Sequence, residues 1–176
     1  MPALPTIFFA ALTASPTGAN MLTLRSTNFS HKGAIPSKHT CEGENTSPAL
    51  TWSDVPSGAK TLALIVDDPD APDPQAPKRT YVHWVLYNLP LSANGLPENA
   101  TGAALPGAHA GTNDFGKTTY GGPCPPIGRH RYFFKLYALD AALTLGAATK
   151  AELEKAMAGH VLAQATLMGT YEKKKR

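Results

Sequence analysis

The stretch Leu62–Pro72, LALIVDDPDAP, combines the features on which the fold and the candidate site depend. Its first five residues are apolar without interruption, which is typical of a strand buried on both faces. The run then ends in Asp67, Asp68 and Asp70, next to prolines that restrict the backbone. Because like charges repel and a carboxylate beside a core loses hydration, hydrogen-bond donors elsewhere in the chain must meet these groups.

Further stretches have the alternation, or the β-branched and aromatic composition, of strands. The strand candidates are MLTLRST (21–27), ALTWSDV (49–55), TLALIV (61–66), YVHWVLYNL (81–89), HRYFFKLYAL (130–139) and HVLAQATLMGTY (160–171). Turn-forming residues separate them, chiefly in DPDAPDPQAPK, LSANG and YGGPCPPIG. Short strands joined by turns predict a mainly β protein.

One helix is predicted late in the chain. Thr149 and Glu152 form a capping-box pattern ahead of AELEKAMAG, and Gly159 is suited to the end of the helix. Leu153 and Met157 lie one helical turn apart. The chain is therefore predicted to be a β-sandwich with one late α-helix.

The bulk composition excludes some classes of protein. A chain of 176 residues is long enough for one domain with a core of its own. The net charge of +3 comes from the last five residues, EKKKR, and the rest of the chain holds twelve basic and twelve acidic residues. Because phosphate neutralisation needs a basic surface, nucleic-acid binding is not expected.

The first twenty residues are interpreted as an N-terminal extension. The apolar segment IFFAALTA (7–14) follows no Lys or Arg and is too short for a transmembrane helix, so no transmembrane segment is expected. Residues 1–20 are either a signal or a start assigned too early, and we expect the fold not to need them. The remaining chain divides into one domain, 21–171, and a basic tail, 172–176. The expected location is cytoplasmic, and the alternative is export to the periplasm or beyond.

The two cysteines, Cys41 and Cys124, leave two alternatives open. They form a disulfide if the protein is exported and remain thiols in a reducing cytosol. Neither belongs to a Cys-x-x-Cys pair and neither has a basic neighbour that would lower the pKa of a thiol. We therefore expect neither cysteine to take part in binding chemistry, although Cys124 borders a candidate loop.

Two histidines in strands are candidate ligand-binding groups. By the two-residue period of a strand, His83 shares a face with Tyr81, Val85 and Tyr87. The same period places His130 and Tyr132 on one face of their strand and Arg131 on the other. The alternative is a closed polar network in which the Asp and His side chains satisfy one another and bind nothing.

The loop TYGGPCPP (119–126) is the third candidate element. Its backbone N–H groups at Gly121 and Gly122 are predicted to be free for a ligand, because glycine lets a ligand approach the backbone closely. Prolines at positions 123, 125 and 126 stiffen the wall and lower the entropy cost of binding.

Together these motifs resemble one known family. SPALTW, DPDAP, HW, NDFG and YGGPCPPIGRHRY occur in this order between about residues 21 and 171. They are similar to the motifs of the phosphatidylethanolamine-binding protein family, also called Raf kinase inhibitor-like proteins, in its bacterial and archaeal branch. The resemblance implies a large central antiparallel sheet, a smaller sheet packed on it, and a pocket for small anions such as phosphate or a phospholipid head group. The ligand-binding residues that it implies are Asp68, Asp70, His83, Gly122, Pro123, Pro126, His130 and Tyr132.

The function expected from these residues is non-enzymatic anion binding, with a regulatory or inhibitory contact to a kinase or protease. Asp68 is predicted to orient the histidines so that their opposite ring nitrogens donate to a ligand oxygen. With Arg131 pointing away and carboxylates raising the histidine pKa values, anion binding should be strongest at mildly acidic pH. No metal or other cofactor is expected.

Two alternatives remain beside anion binding. One is a phosphoryl-transfer or hydrolytic enzyme that uses Asp68 and Asp70 as nucleophile and acid. The other, weaker one is a metal site formed by Asp68, His83 and His130.

Overall fold

The computed structural model describes residues 21–101 and 105–174. Its strands are β1 (Thr23–Ser26), β2 (Leu50–Ser53), β3 (Thr61–Ala71), β4 (Arg79–Leu89), β5 (Gly95–Leu96), β6 (His109–Ala110), β7 (Arg129–Leu139) and β8 (Val161–Glu172). The α-helix, α1, spans Lys150–Met157, and a 3-10 turn spans Ser37–His39. The predictions for residues 1–20 lie outside the described residues.

The strands form two sheets with antiparallel pairing throughout. The smaller sheet has the order β1-β2-β5, and the larger has the order β6-β4-β3-β7-β8. Among the described residues α1 is the one α-helix, and it lies late in the chain, as predicted. The predicted β-sandwich, with a large antiparallel sheet, a smaller sheet and a late helix, is confirmed.

The core explains why β3 is apolar without interruption. One buried cluster lies between the sheets and joins Leu64 of β3 to Trp52 of the smaller sheet. A second cluster, on the opposite face of the large sheet, joins Ile65 of β3 to Leu153 and Met157 of α1. Because β3 is central and covered on both faces, every residue of its apolar run, Leu62–Val66, is buried, as the composition predicted.

The predicted helix signals are present. The Thr149 side chain accepts from the Glu152 backbone N–H, and the Glu152 carboxylate accepts from the Thr149 backbone N–H at 2.8 Å, which completes the capping box. The helix ends at Met157, and Gly159 follows with φ +82°, a conformation that favours glycine.

The aspartates lie within β3 and not beyond its end, which corrects the predicted boundary at residue 66. Pairing continues through Asp67 and Asp68 and becomes irregular between Asp68 and Ala71, where Pro69 cannot donate to the ladder. The Asp67 carboxylate accepts from Lys135 at 2.8 Å and from Lys150 of α1 at 2.6 Å. Asp67 therefore ties the helix to the sheet.

The C-terminal strand, β8, runs to Glu172, one residue into the segment predicted to be a tail. Lys174 still contacts the domain, because its backbone N–H donates to the Glu42 carboxylate at 3.1 Å. No helix among the described residues is long and apolar enough to cross a membrane.

Candidate functional site

A cavity of about 560 Å³ opens at one end of the large sheet. Its lining comes from the ends of β3, β4 and β7 and from the loops before β4 and before β7. The lining residues are Asp68, Ala71, Pro72, Lys78, Arg79, Tyr81, His83, Phe115, Cys124, Pro125, Pro126, His130 and Tyr132. Most of this wall is aromatic or prolyl, and the polar groups are few and close together, as in a small-molecule site.

A β-bulge aims His83 into this cavity. Val66 pairs with Trp84 and Asp67 pairs with Val82, so His83 is the extra residue of β4 at this point. The His83 ring consequently lies 5.2 Å from the Tyr132 ring, centroid to centroid. The bulge turns the strand locally, which is how it re-aims a side chain.

The bulge also corrects the predicted face of β4. Tyr81 lies beside His83, with ring centroids 5.5 Å apart, as expected. Val85 and Tyr87 belong to the cluster under α1, on the other side of the sheet. A strict two-residue period does not continue through a bulge, so the prediction failed beyond residue 83.

The His83 ring has one nitrogen committed to the protein. Nδ1 lies 2.6 Å from the carbonyl oxygen of Gly121, an acceptor, so Nδ1 carries the hydrogen. In the neutral ring Nε2 is then an acceptor, and it has no partner among the described residues. Burial lowers the pKa of His83, although the Gly121 carbonyl and nearby carboxylates oppose the shift. The predicted rise in the pKa of His83 is therefore wrong, because desolvation outweighs the carboxylates.

His130 forms a buried pair with Asp68, but no ring nitrogen is left for a ligand. Nδ1 lies 2.7 Å from Asp68 Oδ2, and Nε2 lies 2.9 Å from the carbonyl oxygen of Ile127. Asp68 thus orients His130 as predicted. The predicted donation from the opposite nitrogen is wrong, because the Ile127 carbonyl occupies it.

Asp70 is neutralised by Arg131, contrary to the sequence prediction. The guanidinium donates from Nε at 2.9 Å and from Nη2 at 2.6 Å, and the Arg131 backbone N–H donates at 2.9 Å. These bonds hold the pKa of Asp70 below its usual value. Arg131 leaves β7 on the face opposite His130, but its long side chain reaches the end of β3. Asp70 lies outside the cavity lining.

The Gly-Gly-Pro loop supplies support and no free donors. The Gly121 N–H donates to the carbonyl of His83 at 3.0 Å, and the Gly122 N–H donates to Asn45 Oδ1 at 2.7 Å. The Pro123 carbonyl accepts from the Cys41 N–H at 3.1 Å. The prediction of free N–H groups is wrong, and Gly122 and Pro123 lie outside the cavity lining. A Cβ on Gly122 would meet the backbone at His39 and Thr40, which explains the glycine.

A buried hydroxyl without a partner belongs to Tyr132. The residue is 1% exposed, and its hydroxyl oxygen has no hydrogen-bond partner among the described residues. Burial, reinforced by Asp68, raises the pKa of Tyr132, so the hydroxyl keeps its hydrogen. A buried polar atom of this kind, beside a cavity, is a group that a ligand oxygen can satisfy.

Cations and aromatic rings surround the mouth. Lys78 and Arg79 are exposed lining residues, and Arg79 also donates to Asp114 at 2.7 Å and lies over the Tyr81 ring. Phe115, 41% exposed, contacts the Tyr81 ring edge to face at 5.0 Å. The lining therefore includes two cationic side chains, of which Arg79 is paired with Asp114, beside neutral or paired polar groups.

A disulfide borders the cavity. Cys41 and Cys124 are joined by a disulfide, with their Cα atoms 5.4 Å apart and a separation of 83 positions in sequence. This resolves the open alternative for the cysteines. Cys124 lines the cavity, as expected for a residue at the edge of the loop.

Sequence reasoning identified five lining residues and missed others. Those identified are Asp68, His83, Pro126, His130 and Tyr132. The sequence did contain a signal for the missed cations, Lys78 and Arg79. They directly follow the turn-forming stretch DPQAP, and a hairpin turn there returns the chain to the strand end that carries the aspartates. In the structure, Ala71 pairs with Arg79 across this hairpin. Phe115 stands in the NDFG motif, but no role was assigned to it. The metal alternative gains no support, since the described residues hold no metal-binding group of three or more His, Cys, Asp or Glu side chains.

Comparison with known proteins identifies relatives across most of the chain. Residues 25–172 match the family model described as phosphatidylethanolamine-binding protein. A UPF0098 protein from Methanothermobacter thermautotrophicus is 50% identical over 155 residues, which cover 86% of this chain and 99% of the relative.

Solved structures agree with this match. The crystal structure of the phosphatidylethanolamine-binding protein homolog CT736 from Chlamydia trachomatis superimposes with a TM-score of 0.81 at 44% identity, covering 88% of this chain and 99% of that one. A carboxypeptidase Y inhibitor, solved in complex with its cognate proteinase, has a TM-score of 0.55 at 19% identity and covers 89% of this chain and 84% of its own. The inhibitor shares the fold alone.

Proposed function

The chain belongs to the phosphatidylethanolamine-binding protein family, and from that premise we propose that it is a non-enzymatic binding protein whose cavity takes a small phosphate-bearing anion. The observation that carries the proposal is a pair of polar groups on two lining residues, His83 Nε2 and the Tyr132 hydroxyl, for which the described residues supply no hydrogen-bond partner. One accepts a hydrogen and the other donates one. Lys78 and Arg79 at the mouth offset the negative charge of the ligand.

This pair favours a phosphate that keeps a hydrogen. The P–OH group of a monoester monoanion donates to neutral His83, while the Tyr132 hydroxyl donates to another phosphate oxygen. A phosphodiester, such as an intact phospholipid head group, has no such hydrogen. Binding should therefore weaken as pH rises through the second pKa of a monoester, about 6. The acid preference remains a prediction, and its proposed cause is the ligand's proton rather than a raised histidine pKa.

Calorimetry tests the proposal with phosphorylethanolamine, a monoester, and with dimethyl phosphate, a diester, at about pH 5.5, 6.5 and 7.5. We expect the monoester to bind more tightly at the lowest pH and to lose up to about tenfold in affinity per pH unit above 6. His83→Ala should cost about 10- to 100-fold, because it removes a hydrogen bond to a charged ligand. His109→Ala, at an exposed histidine of β6, is the matched control.

Two results would overturn this assignment. Monoester binding that is independent of pH and survives His83→Ala would mean that other residues hold the anion. No binding of either probe by the wild type would favour the closed polar network.

The phosphoryl-transfer or hydrolytic alternative gains no support from the carboxylates. A nucleophile or general acid needs an oxygen that is free to reach the substrate. Asp68 accepts from His130 and from the Asp70 N–H at 2.7 Å, and both oxygens of Asp70 are bound by Arg131. Neither residue is arranged for such a role.

We propose a regulatory or inhibitory output toward a protease or kinase as the second part of the function. The support is family membership and the shared fold of a carboxypeptidase Y inhibitor. Assays of carboxypeptidase Y and of a serine/threonine kinase with the chain at about 10 μM would test it, since this concentration detects contacts of micromolar affinity. Inhibition of either enzyme would support the proposal, and full activity of both would contradict it.

The disulfide bears on where the protein acts. Disulfides persist in oxidising compartments and are rare in the cytosol of mesophiles. The bond between Cys41 and Cys124 therefore supports the exported alternative over the cytoplasmic expectation. Thiol labelling of the protein taken directly from its native cells would separate the two, because a cytosolic protein would label at both cysteines.

A further inference from the structure

The NDFG motif lies in the loop 111–121, and the proposed function makes no use of it. Where β6 ends, this loop continues along the outer edge of β4. The Gly111 N–H donates to the Val85 carbonyl at 2.9 Å, and the Asp114 N–H donates to the Val82 carbonyl at 3.0 Å. The loop therefore takes the place of a neighbouring strand beside the bulge of β4.

The Asn113 side chain uses its whole hydrogen-bonding capacity inside this loop. The residue is 5% exposed. Its Nδ2 donates to the His83 carbonyl at 3.0 Å and to the Thr119 carbonyl at 2.8 Å. Its Oδ1 accepts from the N–H groups of Phe115 at 3.1 Å and Lys117 at 3.0 Å. An amide offers two donors and an oxygen with two lone pairs, so all four are occupied.

The turn itself does not depend on this amide. The Asn113 N–H donates to the Lys117 carbonyl at 2.9 Å, and the Gly116 N–H donates to the Asn113 carbonyl at 3.0 Å. These backbone bonds already close the turn 113–117. What the side chain adds is a link between this turn, β4 and the segment 119–121 that follows.

That link reaches the His83 ring through Gly121. The Gly121 N–H donates to the same His83 carbonyl that accepts from Asn113, and the Gly121 carbonyl accepts the hydrogen of His83 Nδ1 at 2.6 Å. Thr119, two residues earlier, is held by the other Asn113 N–H. The position of the Gly121 carbonyl relative to the ring is therefore fixed by Asn113.

The Phe115 ring is placed by the same amide. Its backbone N–H is bound to Asn113 Oδ1, and a Cβ on Gly121 would come within 2.4 Å of the ring, so the ring lies directly on that glycine. The ring also contacts His83 edge to face, with centroids 5.5 Å apart. Asn113 thus fixes two groups that contact the imidazole.

We propose that Asn113 is a positioning residue for His83: by fixing the Gly121 carbonyl it keeps the hydrogen of the neutral imidazole on Nδ1 and leaves the Nε2 lone pair for a ligand. The hydrogen bond made by one ring nitrogen determines which nitrogen carries the hydrogen. The consequence for ligand affinity rests on the proposed function. The state of the ring does not, because it is a property of the ligand-free protein.

Asn113→Asp removes the two donors and keeps the shape of the side chain. At about pH 7.5 an aspartate accepts hydrogen bonds and donates none, so an oxygen would face the carbonyls of His83 and Thr119. We expect the segment 119–121 to move away from β4 and the hydrogen to distribute over both ring nitrogens. Asn94→Asp is the matched control, since Asn94 is exposed and its side chain bonds to none of the described residues.

Long-range proton–nitrogen NMR of the nitrogen-15-labelled, ligand-free full chain measures this directly, because protonated and unprotonated ring nitrogens give separate signals. The His83 signals are assigned by their absence in His83→Gln. Wild type and Asn94→Asp should show the Nδ1–H form, and Asn113→Asp should show a mixture. Asn113→Ser, which adds no charge, should also show a mixture, and its phosphorylethanolamine affinity at about pH 5.5 should fall about 3- to 10-fold.

The outcomes separate this inference from the proposed function. A wild-type tautomer in both Asn113 variants would overturn the inference, whether or not the monoester binds. Loss of the fold in both, by circular dichroism, would also overturn it, because Asn113 would then serve the fold and not the ring. A shifted tautomer supports it. If the wild type then binds no monoester, or Asn113→Ser keeps full affinity, the proposed function alone fails.

Discussion

The state of His83 shows how burial and nearby charge compete at a single residue. The ring is buried against Tyr132 and Phe115, and its Nδ1 hydrogen is held by the Gly121 carbonyl. Carboxylates close by would favour the imidazolium, but burial lowers the pKa of His83. The consequence is a neutral acceptor in the cavity at neutral pH.

This pKa shift predicts a pH dependence of stability. A folded-state pKa below the unfolded value of 6.5 means that the unfolded chain binds the proton more readily, so unfolding is favoured as pH falls. Below about 6.5 the wild type should lose up to about 1.4 kcal/mol of unfolding free energy per pH unit through this residue. Glutamine has no charge to gain at acidic pH, so His83→Gln should lack this pH-dependent loss of unfolding free energy.

Urea unfolding at several pH values, on both proteins, measures the difference. The two stability curves should run parallel above pH 7 and converge, or cross, as the pH falls toward 5. Curves that stay parallel throughout would show that His83 titrates alike in both states.

Among the secondary-structure elements, ion pairs at the end of β3 fix how the strands and the helix meet. Asp70 joins β3 to Arg131 of β7, and Asp67 joins β3 to Lys150 of α1. The sequence predicted that the aspartates would need donors, and that is confirmed. Alternation along β7 predicted the face of Arg131 correctly but said nothing of how far its side chain reaches.

Removing the Asp70 partner tests this arrangement. In Arg131→Met, the Asp70 carboxylate is 6% exposed and keeps one backbone donor. The unfolding free energy should fall by roughly 1 to 3 kcal/mol. This is less than the roughly 3 to 5 kcal/mol expected for a fully buried pair, because Arg131 is half exposed. The pKa of Asp70 is lowered in the folded state, so its stabilisation is present above about 4 and is lost as pH falls further.

The measurement is chemical unfolding of Arg131→Met and wild type at about pH 7 and pH 3. The difference between them should shrink at the lower pH. Arg129→Met is the matched control, since Arg129 is mostly exposed and 3.5 Å from Glu172, and it should change stability little. A loss for Arg131→Met no larger than that of the control would contradict the account.

At the scale of the whole molecule, the disulfide joins two distant parts of the chain. It closes a loop of 83 residues between the segment after the 3-10 turn and the Gly-Gly-Pro loop. The bond contributes mainly by restricting the unfolded chain, by roughly 3 to 5 kcal/mol in the chain-entropy model. It lines the cavity but supplies no hydrogen-bonding group to it.

Replacing Cys41 and Cys124 by Ser should therefore separate stability from binding. We expect the unfolding free energy to fall by roughly 3 to 5 kcal/mol and the phosphorylethanolamine affinity to stay within a few-fold. Calorimetric unfolding and ligand titration of the same variant measure both. Lost binding with the fold intact by circular dichroism would show that the cysteines belong to the site.

The sequence predicted the sandwich and the helix because their signals are local. The apolar run of β3, the alternation in β7 and the Thr149 capping box each determine a short element. The site was predicted less completely, because it depends on a bulge at His83 and on the partners of Gly121 and Ile127. Which carbonyl occupies a ring nitrogen is a property of the folded loops, and nothing in the residue pattern encodes it.

The central claim, that the Tyr132 hydroxyl and His83 together hold a protonated phosphate, is tested most directly by Tyr132→Phe. The variant removes one buried oxygen that has no hydrogen-bond partner among the described residues, so the unfolding free energy should stay the same or rise. Phosphorylethanolamine affinity at about pH 5.5 should fall by about 10- to 100-fold, because the charged ligand loses a donor. Calorimetric titration that finds unchanged affinity in a stably folded Tyr132→Phe would contradict the claim.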